Sequence, residues 1–304
     1  MSFPISIIPS KPNVDFVGKK HHAFIFSILL SACVIFLLFF NSLNLGIDFT
    51  GGMIFDIRSD KKIDIDSLRK TLTLNKYENS TIQESGNQSV IIRLRIDKNR
   101  RLEDVTSFKD LITQNIENAE FNKIDYVGPK VGEALVHKAT LAVLFSLLGI
   151  MIYIALRFDL RFAVGITVAL FHDALATLGF YMVSRYEFDL TSIAAILTVV
   201  GYSVNDSVVI YDRIRENLNK HNGKTLIEVI NRSINETLSR TIMTVLTTLL
   251  VCLALILLGG YHLRGFSMAM FFGIAFGTYS SIYISAPILI MINNFYGLKN
   301  TKKV

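Results

Sequence analysis

Six long apolar stretches constrain this chain more than any other feature of its sequence. A helix needs about 20 residues to cross about 30 Å of hydrocarbon, and all six stretches are close to that length or longer. They lie at residues 22–42, 138–156, 162–184, 190–212, 240–258 and 267–294. Hydrophobic residues make up 51% of the 304 residues and charged residues 18%. These proportions indicate a membrane protein and exclude an ordinary soluble one.

The first apolar stretch follows Lys19 and Lys20, as the core of a secretory signal peptide would. It is longer than a usual signal core, and no small-x-small cleavage site follows it. We therefore expect an uncleaved anchor helix at residues 22–42, preceded by a tail at residues 1–21.

Basic residues are distributed unequally among the tails and the short connections between apolar stretches. The termini and alternate connections carry most of them: Lys11, Lys19, Lys20, Arg157, Arg161, Arg213, Arg215, Lys220, Lys224, Arg232, Lys299, Lys302 and Lys303. The other short connections contain only Arg185 and Arg264. The positive-inside rule therefore predicts that both termini, including the tail at residues 298–304, lie in the cytoplasm. Because the basic residues flank the spans, the formal charge of +6 does not indicate nucleic-acid binding.

Residues 43–137 are far more polar than the rest and are predicted to form one extracytoplasmic domain. Their pattern predicts strands at 53–58, 80–84, 89–96 and 120–127, helices at 64–73 and 104–118, and a hairpin turn at Gly86-Asn87. The order βαββαβ matches the ferredoxin-like arrangement, which has no chemistry of its own. The predicted fold class is a polytopic α-helical membrane protein with six transmembrane helices and an extracytoplasmic ferredoxin-like α+β domain.

The remaining five spans occupy residues 138–297, with a polar connection at 213–239 between the fourth and fifth. In this connection Leu226, Ile227, Ile230 and Ile234 recur at helical spacing. The pattern indicates either an amphipathic helix on the cytoplasmic membrane surface or a plain connector helix.

The fourth span contains Asn205 and Asp206 close to its cytoplasmic end. A carboxylate inside a span costs at least about 2.5–3.5 kcal/mol on insertion scales, so such residues usually line a pathway. Two other interpretations compete with a proton-carrying role. In the first, Asp206 is a structural hydrogen-bond acceptor. In the second, Asp206 lies close enough to the membrane surface to be solvated.

The fifth span begins at Arg240 and carries a polar stripe. Arginines at span ends often extend to the membrane surface, so Arg240 alone is weak support for a site. The polar stripe strengthens the case for a site, because a lipid-facing helix does not need polar side chains. The stripe consists of Thr237, Thr241, Thr244 and Thr248. An arginine near a carboxylate favours its charged form and is released when the acid is protonated, which would couple proton binding to helix movement.

The third span contains His172 and Asp173 near its middle, where such a pair is costly unless it faces protein or water. The two residues are interpreted either as a proton relay or as a hydrogen-bonded fastening between helices, and Asn205 and Thr244 are candidates for the same two roles. In the sixth span, Gly273 and Gly277 form a close-packing motif that marks a helix interface, and we expect that interface to contact a partner subunit.

Glycines mark both junctions between the polar domain and its flanking spans. Gly51 and Gly52 precede the first predicted strand, and Gly128 and Pro129 follow the last. They are predicted to act as hinges, because glycine permits a tight backbone path.

The residue inventory contains no nucleophile-base pair, metal-ligand spacing or phosphate loop. The two cysteines, Cys33 and Cys252, lie in apolar stretches and suit neither a disulfide framework nor a metal site. We therefore expect a protein that is not an enzyme and that has no cofactor, with a proton or another ion as the candidate for the site formed by the acid, the arginine and the polar stripe.

Taken together, several motifs resemble the SecF members of the SecD/SecF family, part of the resistance-nodulation-division superfamily. They are GIDFTGG at 46–52, VGPKVG at 127–132, His172-Asp173, GYSVNDS at 201–207, DRIREN at 212–217 and SRT at 239–241. The resemblance covers nearly the whole chain. It implies a multi-pass protein of the bacterial cytoplasmic (inner) membrane that pairs with SecD in a twelve-span unit, beside the Sec translocon channel. It also implies proton-motive-force-driven export of unfolded preproteins, with Asp206 and Arg240 as the proton-coupling residues.

Two other functions remain open on the sequence. One is a half-transporter of the same superfamily that exports a lipid or small molecule, and the other is a non-conducting scaffold subunit. Membrane lipid is an expected contact in each case.

Overall fold

A computed structural model describes residues 12–40, 43–75, 77, 80–85, 88–94, 103–220 and 223–295. The chain divides into two compact units. The helical unit comprises Met1–Asn44, Val143–Tyr186 and Thr191–Val304, and the α+β unit comprises Leu45–Ala142 and Glu187–Leu190. Within the described residues, six helices are long and apolar enough to cross a membrane, which confirms the six predicted spans. These are Val17–Phe40, Lys130–Arg157, Leu160–Ser184, Leu190–Lys220, Leu226–Leu258 and Leu263–Asn293.

The α+β unit contains the predicted βαββαβ order. Its strands are β1 (Gly52–Arg58), β2 (Ser80–Glu84), β3 (Ser89–Leu94) and β4 (Glu120–Val127). Its helices are the short α2 (Ile47–Thr50), then α3 (Ile65–Leu74) and α4 (Glu103–Asn115). All strand pairs are antiparallel and the sheet order is β2-β3-β1-β4, as the ferredoxin-like prediction requires. The predicted turn at Gly86-Asn87 lies outside the described residues.

One face of this sheet forms the core of the α+β unit. Met53, Phe55 and Ile57 alternate along β1 and are all buried, as expected for side chains that point to one face. They pack with the apolar faces of the two helices, represented by Leu72 of α3 and Phe108 of α4. Helix α3 begins where the Asp64 carboxylate accepts hydrogen bonds from the next backbone N–H groups, an ordinary N-cap.

The helical unit is built from long helices. They are α1 (Lys20–Phe40), α5 (Pro129–Arg157), α6 (Leu160–Ser184), α7 (Leu190–Lys220), α8 (Leu226–Leu258), α9 (Gly260–Ser280) and α10 (Ala286–Phe295). A π-helical segment, Ser281–Ser285, joins α9 to α10. Pro287 lies just beyond it and lacks an amide hydrogen, which interrupts regular helix hydrogen bonding at this point.

The predicted separate helix at 213–239 is wrong. Residues 213–220 continue α7, and α8 is unbroken from Leu226, after a capping box formed by Thr225 and Glu228. Ile230 and Ile234 are buried in the core of the helical unit. On the same helix, Asn231 binds the backbone of Phe16 and Asn235 binds the backbone of Val14. An amphipathic face was correctly recognised, but it packs against protein.

The predicted start of the second span, at residue 138, lies inside a helix, although the α+β unit itself extends to Ala142, close to the predicted domain boundary at residue 137. Helix α5 begins at Pro129, almost directly after β4 ends at Val127. The polar first turns of α5 lack the continuous apolar character of a span, so the sequence pattern placed its start too late.

Candidate functional site

Asp206 lies on α7 and faces α8. Its side chain is only 8% exposed, which argues against the interpretation that it is solvated. One carboxylate oxygen, Oδ1, accepts a hydrogen bond from Thr241 Oγ1 of α8 at 2.5 Å. The other oxygen, Oδ2, is buried and has no hydrogen-bond partner among the described residues. The site therefore holds a carboxylate whose hydrogen-bonding capacity is only partly used, and that arrangement is costly to maintain.

Arg240 immediately precedes Thr241 on α8 and is exposed. No ion pair within 4.0 Å joins the two side chains in the described part of the chain. The structure thus brings the two predicted residues together on facing helices, with Thr241 making the direct contact.

Asn205 and Thr244 were predicted, like His172 and Asp173, as relay or helix-packing residues. Asn205 is exposed on α7. Thr244 donates its hydroxyl to carbonyls within α8, and its own carbonyl accepts a hydrogen bond from Tyr202 of α7 at 3.0 Å. Tyr202 also contacts Thr248. These contacts hold α7 against α8 one turn from Asp206, so the threonine stripe is explained by a helix interface.

Asp173 of α6 is the second buried carboxylate and is fully shielded, with 0% exposure. It accepts hydrogen bonds from Ser203 of α7 at 2.5 Å and from Ser280 of α9 at 2.7 Å. His172 Nδ1 lies 3.2 Å from its other oxygen, whereas His172 Nε2 is buried without a partner among the described residues. The pair therefore fastens three helices together. Whether it also relays protons stays a prediction.

The serines of the sixth span were missed by the sequence reasoning. Ser280 contacts Asp173, and Ser281 Oγ lies 3.0 Å from Ser207 Oγ on α7. The carbonyl of Ser285 accepts a hydrogen bond from buried Tyr211 at 2.7 Å. A cluster of three serines within six residues of an apolar span was the signal that pointed to this polar seam.

Gly273 and Gly277 pack inside the chain, so the expectation that they contact a partner subunit is wrong. A β-carbon on Gly273 would lie 2.5 Å from Val199 Cγ2, and one on Gly277 would lie 3.3 Å from Ser203 Cβ. The small-residue motif correctly indicated close helix packing, but the neighbouring helices are α6 and α7 of this chain.

The junction glycines differ from each other. Gly51 and Gly52 both have positive φ, at 70° and 151°, and a β-carbon on Gly52 would lie 2.5 Å from the Leu94 carbonyl oxygen. The first junction therefore requires glycine for its backbone path. Gly128 leads directly into α5 at Pro129, and a β-carbon there would make only ordinary contacts. The hinge role of all four residues remains a prediction.

These features define a class: a six-span membrane protein with ionisable side chains buried between its helices and a small ferredoxin-like domain. Residues 107–295 match the family described as protein export membrane protein SecD/SecF, C-terminal, and residues 36–63 match the SecD/SecF GG motif. The chain therefore belongs to the SecD/SecF family, and its curated relatives place it in the SecF group.

Two relatives show how much of the chain is shared. The protein translocase subunit SecF of Rickettsia prowazekii (strain Madrid E) is 45% identical over 295 residues, which cover 96% of this chain and 95% of the relative. The subunit of the same name from Rickettsia conorii is 45% identical over 305 residues, covering 99% and 98%.

Two solved structures share the fold. SecDF from Thermus thermophilus, described as a translocon-associated membrane protein, superposes with a TM-score of 0.85 at 37% identity and covers 95% of this chain. SecDF in its super-membrane-facing form gives a TM-score of 0.73 at 36% identity and covers 99% of this chain. This chain spans only 40% and 41% of those two chains.

Proposed function

We propose that this chain is a SecF subunit that joins a SecD partner and uses the proton motive force to assist preprotein translocation. The names of its relatives support a place in protein translocation. The SecDF structure and the SecF names of the relatives support SecD as the partner. The unfolded preprotein and the Sec translocon channel are the further partners of this proposal.

The observation that carries the proposal is the half-satisfied carboxylate of Asp206 between α7 and α8. A buried carboxylate with a free oxygen has room to accept a proton. Protonation would remove the charge that attracts Arg240 and would change the bond to Thr241. That sequence of events links proton binding to a movement of α7 against α8.

The energy available is sufficient to bias such a movement. One elementary charge crossing the membrane gains about 2.3 kcal/mol per 100 mV. That shifts a two-state equilibrium close to fiftyfold, whereas a change from 1:99 to 99:1 needs about 10⁴-fold. One proton therefore biases the α+β unit, with the glycine junctions as the expected hinges, and further protons or a pH gradient would complete the switch.

The proposed orientation places the α+β unit outside the cytoplasm, because the basic residues concentrate in the tails and in the connections on the opposite side. Cysteine labelling in intact cells tests it. Asn75→Cys in the α+β unit should react with an impermeant maleimide, and Lys224→Cys, exposed between α7 and α8, should react only after permeabilisation. Labelling with the opposite accessibility would overturn the orientation.

The function is tested by preprotein translocation into vesicles that contain the SecD–SecF complex, with and without a proton gradient. Asp206→Asn should retain the complex and abolish the gradient-dependent component. Arg240→Met should do the same, and Arg240→Lys should retain part of the activity because it keeps the positive charge.

Asp212→Asn is the matched control for this test, because Asp212 lies on the same helix in an exposed ion pair with Arg157. It should translocate at the wild-type rate. If Asp206→Asn also translocated at the wild-type rate under a gradient, Asp206 would be structural and the proposed mechanism would be wrong.

A further inference from the structure

The first junction of the α+β unit makes contacts that a simple hinge does not need. Leu45 forms an isolated parallel bridge with Phe188, and the Gly46 N–H donates to the Phe188 carbonyl at 2.8 Å. The rings of Phe49 and Phe188 lie 6.0 Å apart. A β-carbon on Gly46 would lie 3.1 Å from Asp189 Cβ. The segment 45–50 is therefore closely paired with the segment 187–190, and we call these two segments the clamp.

The clamp reaches the first residue of α7. The carboxylate of Asp48 accepts a hydrogen bond from the Leu190 N–H at 3.1 Å. The first N–H groups of a helix lack partners within the helix and favour negative charge. Asp189 stands directly before the first turn of α7, which has no acidic residue of its own, and Asp48 adds a second carboxylate from a distant part of the sequence.

An ion pair fixes the other side of the clamp to the sheet. Arg93 of β3 and Glu187 lie 2.6 Å apart, and their side chains are only 14% and 16% exposed. The segment that precedes α7 is thereby held both by the glycine-rich motif and by the four-stranded sheet.

Helix α7 then runs unbroken from Leu190 to Lys220 and carries Asp206. Asp206 lies 16 residues after Leu190, which corresponds to about 24 Å along a helix that rises about 1.5 Å per residue. A continuous helix transmits a displacement or a rotation at one end to the other. The position of Leu190 therefore helps to set the position of the Asp206 carboxylate against Thr241.

We propose that Asp48 is a positioning residue for the proton-coupling site, which acts by fastening the first turn of α7 to the α+β unit. Through this contact a movement of the α+β unit displaces α7 along its length. In the other direction, a displacement of α7 caused by protonation of Asp206 moves the clamp. This inference rests on the proposed function, and it assigns the GIDFTGG motif a role in transmission as well as in backbone turning.

The test measures the pH dependence of carbodiimide modification of Asp206 in vesicles that contain the full SecD–SecF complex. Dicyclohexylcarbodiimide reacts with protonated intramembrane carboxyl groups, and mass spectrometry of the Asp206 peptide quantifies the product. Asp206→Asn identifies the background. Asp48→Ala should move the midpoint of this profile by about one pH unit, a tenfold change in proton affinity. It should also reduce gradient-dependent translocation.

Two further variants isolate the hydrogen bond. Asp48→Asn should keep the wild-type midpoint, because asparagine is an equally good acceptor at a helix N-terminus. Leu190→Pro removes the donor instead of the acceptor, at the first helical position, where proline is tolerated. It should reproduce the Asp48→Ala midpoint, and it replaces Asp48→Ala if that variant does not assemble. Asp66→Ala, at an exposed first-turn acid of α3, should leave both measurements unchanged.

The outcomes separate this inference from the proposed function. If Asp206→Asn abolishes gradient-dependent translocation while Asp48→Ala and Leu190→Pro leave the rate and the midpoint unchanged, the positioning role is wrong and the function stands. If Asp206→Asn has no effect on translocation, the function itself is wrong. A shift of the midpoint in only one of the two clamp variants would show that the hydrogen bond is not the cause.

Discussion

The two carboxylates buried among the membrane helices have opposite hydrogen-bonding environments. Asp173 receives hydrogen bonds from serines on two other helices and is approached by His172. Asp206 receives one bond, from Thr241, and its second oxygen has no partner in the described residues. A fully hydrogen-bonded carboxylate resists protonation, because each donor would lose or weaken its acceptor. A carboxylate with one unbonded oxygen can be protonated there with less rearrangement of its donors. We therefore assign fastening to Asp173 and switching to Asp206.

Removing the fastening carboxylate should have the largest effect on stability. Asp173→Ala deletes up to three interhelical or local bonds, each worth about 0.6 kcal/mol in a bilayer, so a loss of about 2 kcal/mol is expected. The measurement is the free energy of unfolding in lipid nanodiscs. Asp212→Ala, which breaks only the exposed pair with Arg157, should change it by less than about 1 kcal/mol. Wild-type stability combined with a loss of gradient-dependent translocation would instead make His172 and Asp173 a relay.

Removing the single bond to the switching carboxylate should affect activity more than stability. Thr241→Val keeps the side-chain shape and deletes the donor to Asp206. Hydrogen bonds to charged groups are worth about 1.5–3 kcal/mol, so gradient-dependent translocation should fall about tenfold. Thr247→Val is the matched control, because the Thr247 hydroxyl donates only to backbone carbonyls of its own helix, those of Met243 and Thr244. Equal rates for the two variants would show that the Thr241 bond is incidental.

The two units also differed in how well the sequence predicted them. In the α+β unit, alternating apolar residues such as Met53, Phe55 and Ile57 identified the strands, and helical spacing identified α3 and α4. Both patterns arise because one face of each element is buried and the other is exposed. The strand order followed from the element order, since few topologies join βαββαβ without crossing.

Among the membrane helices the same reasoning gave the spans but not their neighbours. A lipid-facing side chain and a protein-facing one are both apolar, so periodicity does not show which helix packs where. Gly273 and Gly277 revealed close packing, but the sequence did not show that α6 and α7 are the neighbours. The face with Ile230 and Ile234 was correctly amphipathic, yet its partner proved to be protein. Asp206 and Asp173 were found because carboxylates are rare in spans, whereas the serines that bind Asp173 are common enough to be overlooked.

A third carboxylate, the partly buried Glu187, extends the comparison to a site outside the membrane-spanning segments. Burial raises its pKa above the ordinary value of 4.5, and the carboxylates of Asp189 and Asp48 raise it further, while the charge of Arg93 opposes both effects. Unlike Asp173 and Asp206, it is paired with a cation at 2.6 Å. A pKa that is higher in the folded state than in the unfolded chain means that the folded state binds the proton more tightly.

The expected consequence is a small dependence of stability on pH. The stabilisation contributed by Glu187 is complete below the unfolded-state pKa and is lost as the pH rises through the folded-state pKa. Glu187→Gln cannot titrate, so the free energy of unfolding of the wild type, relative to this variant, should fall as the pH rises above the ordinary glutamate pKa of 4.5. Unfolding in nanodiscs at several pH values measures it. A relative stability that rises with pH for Glu187→Gln would mean that Arg93 outweighs burial and lowers the pKa of Glu187.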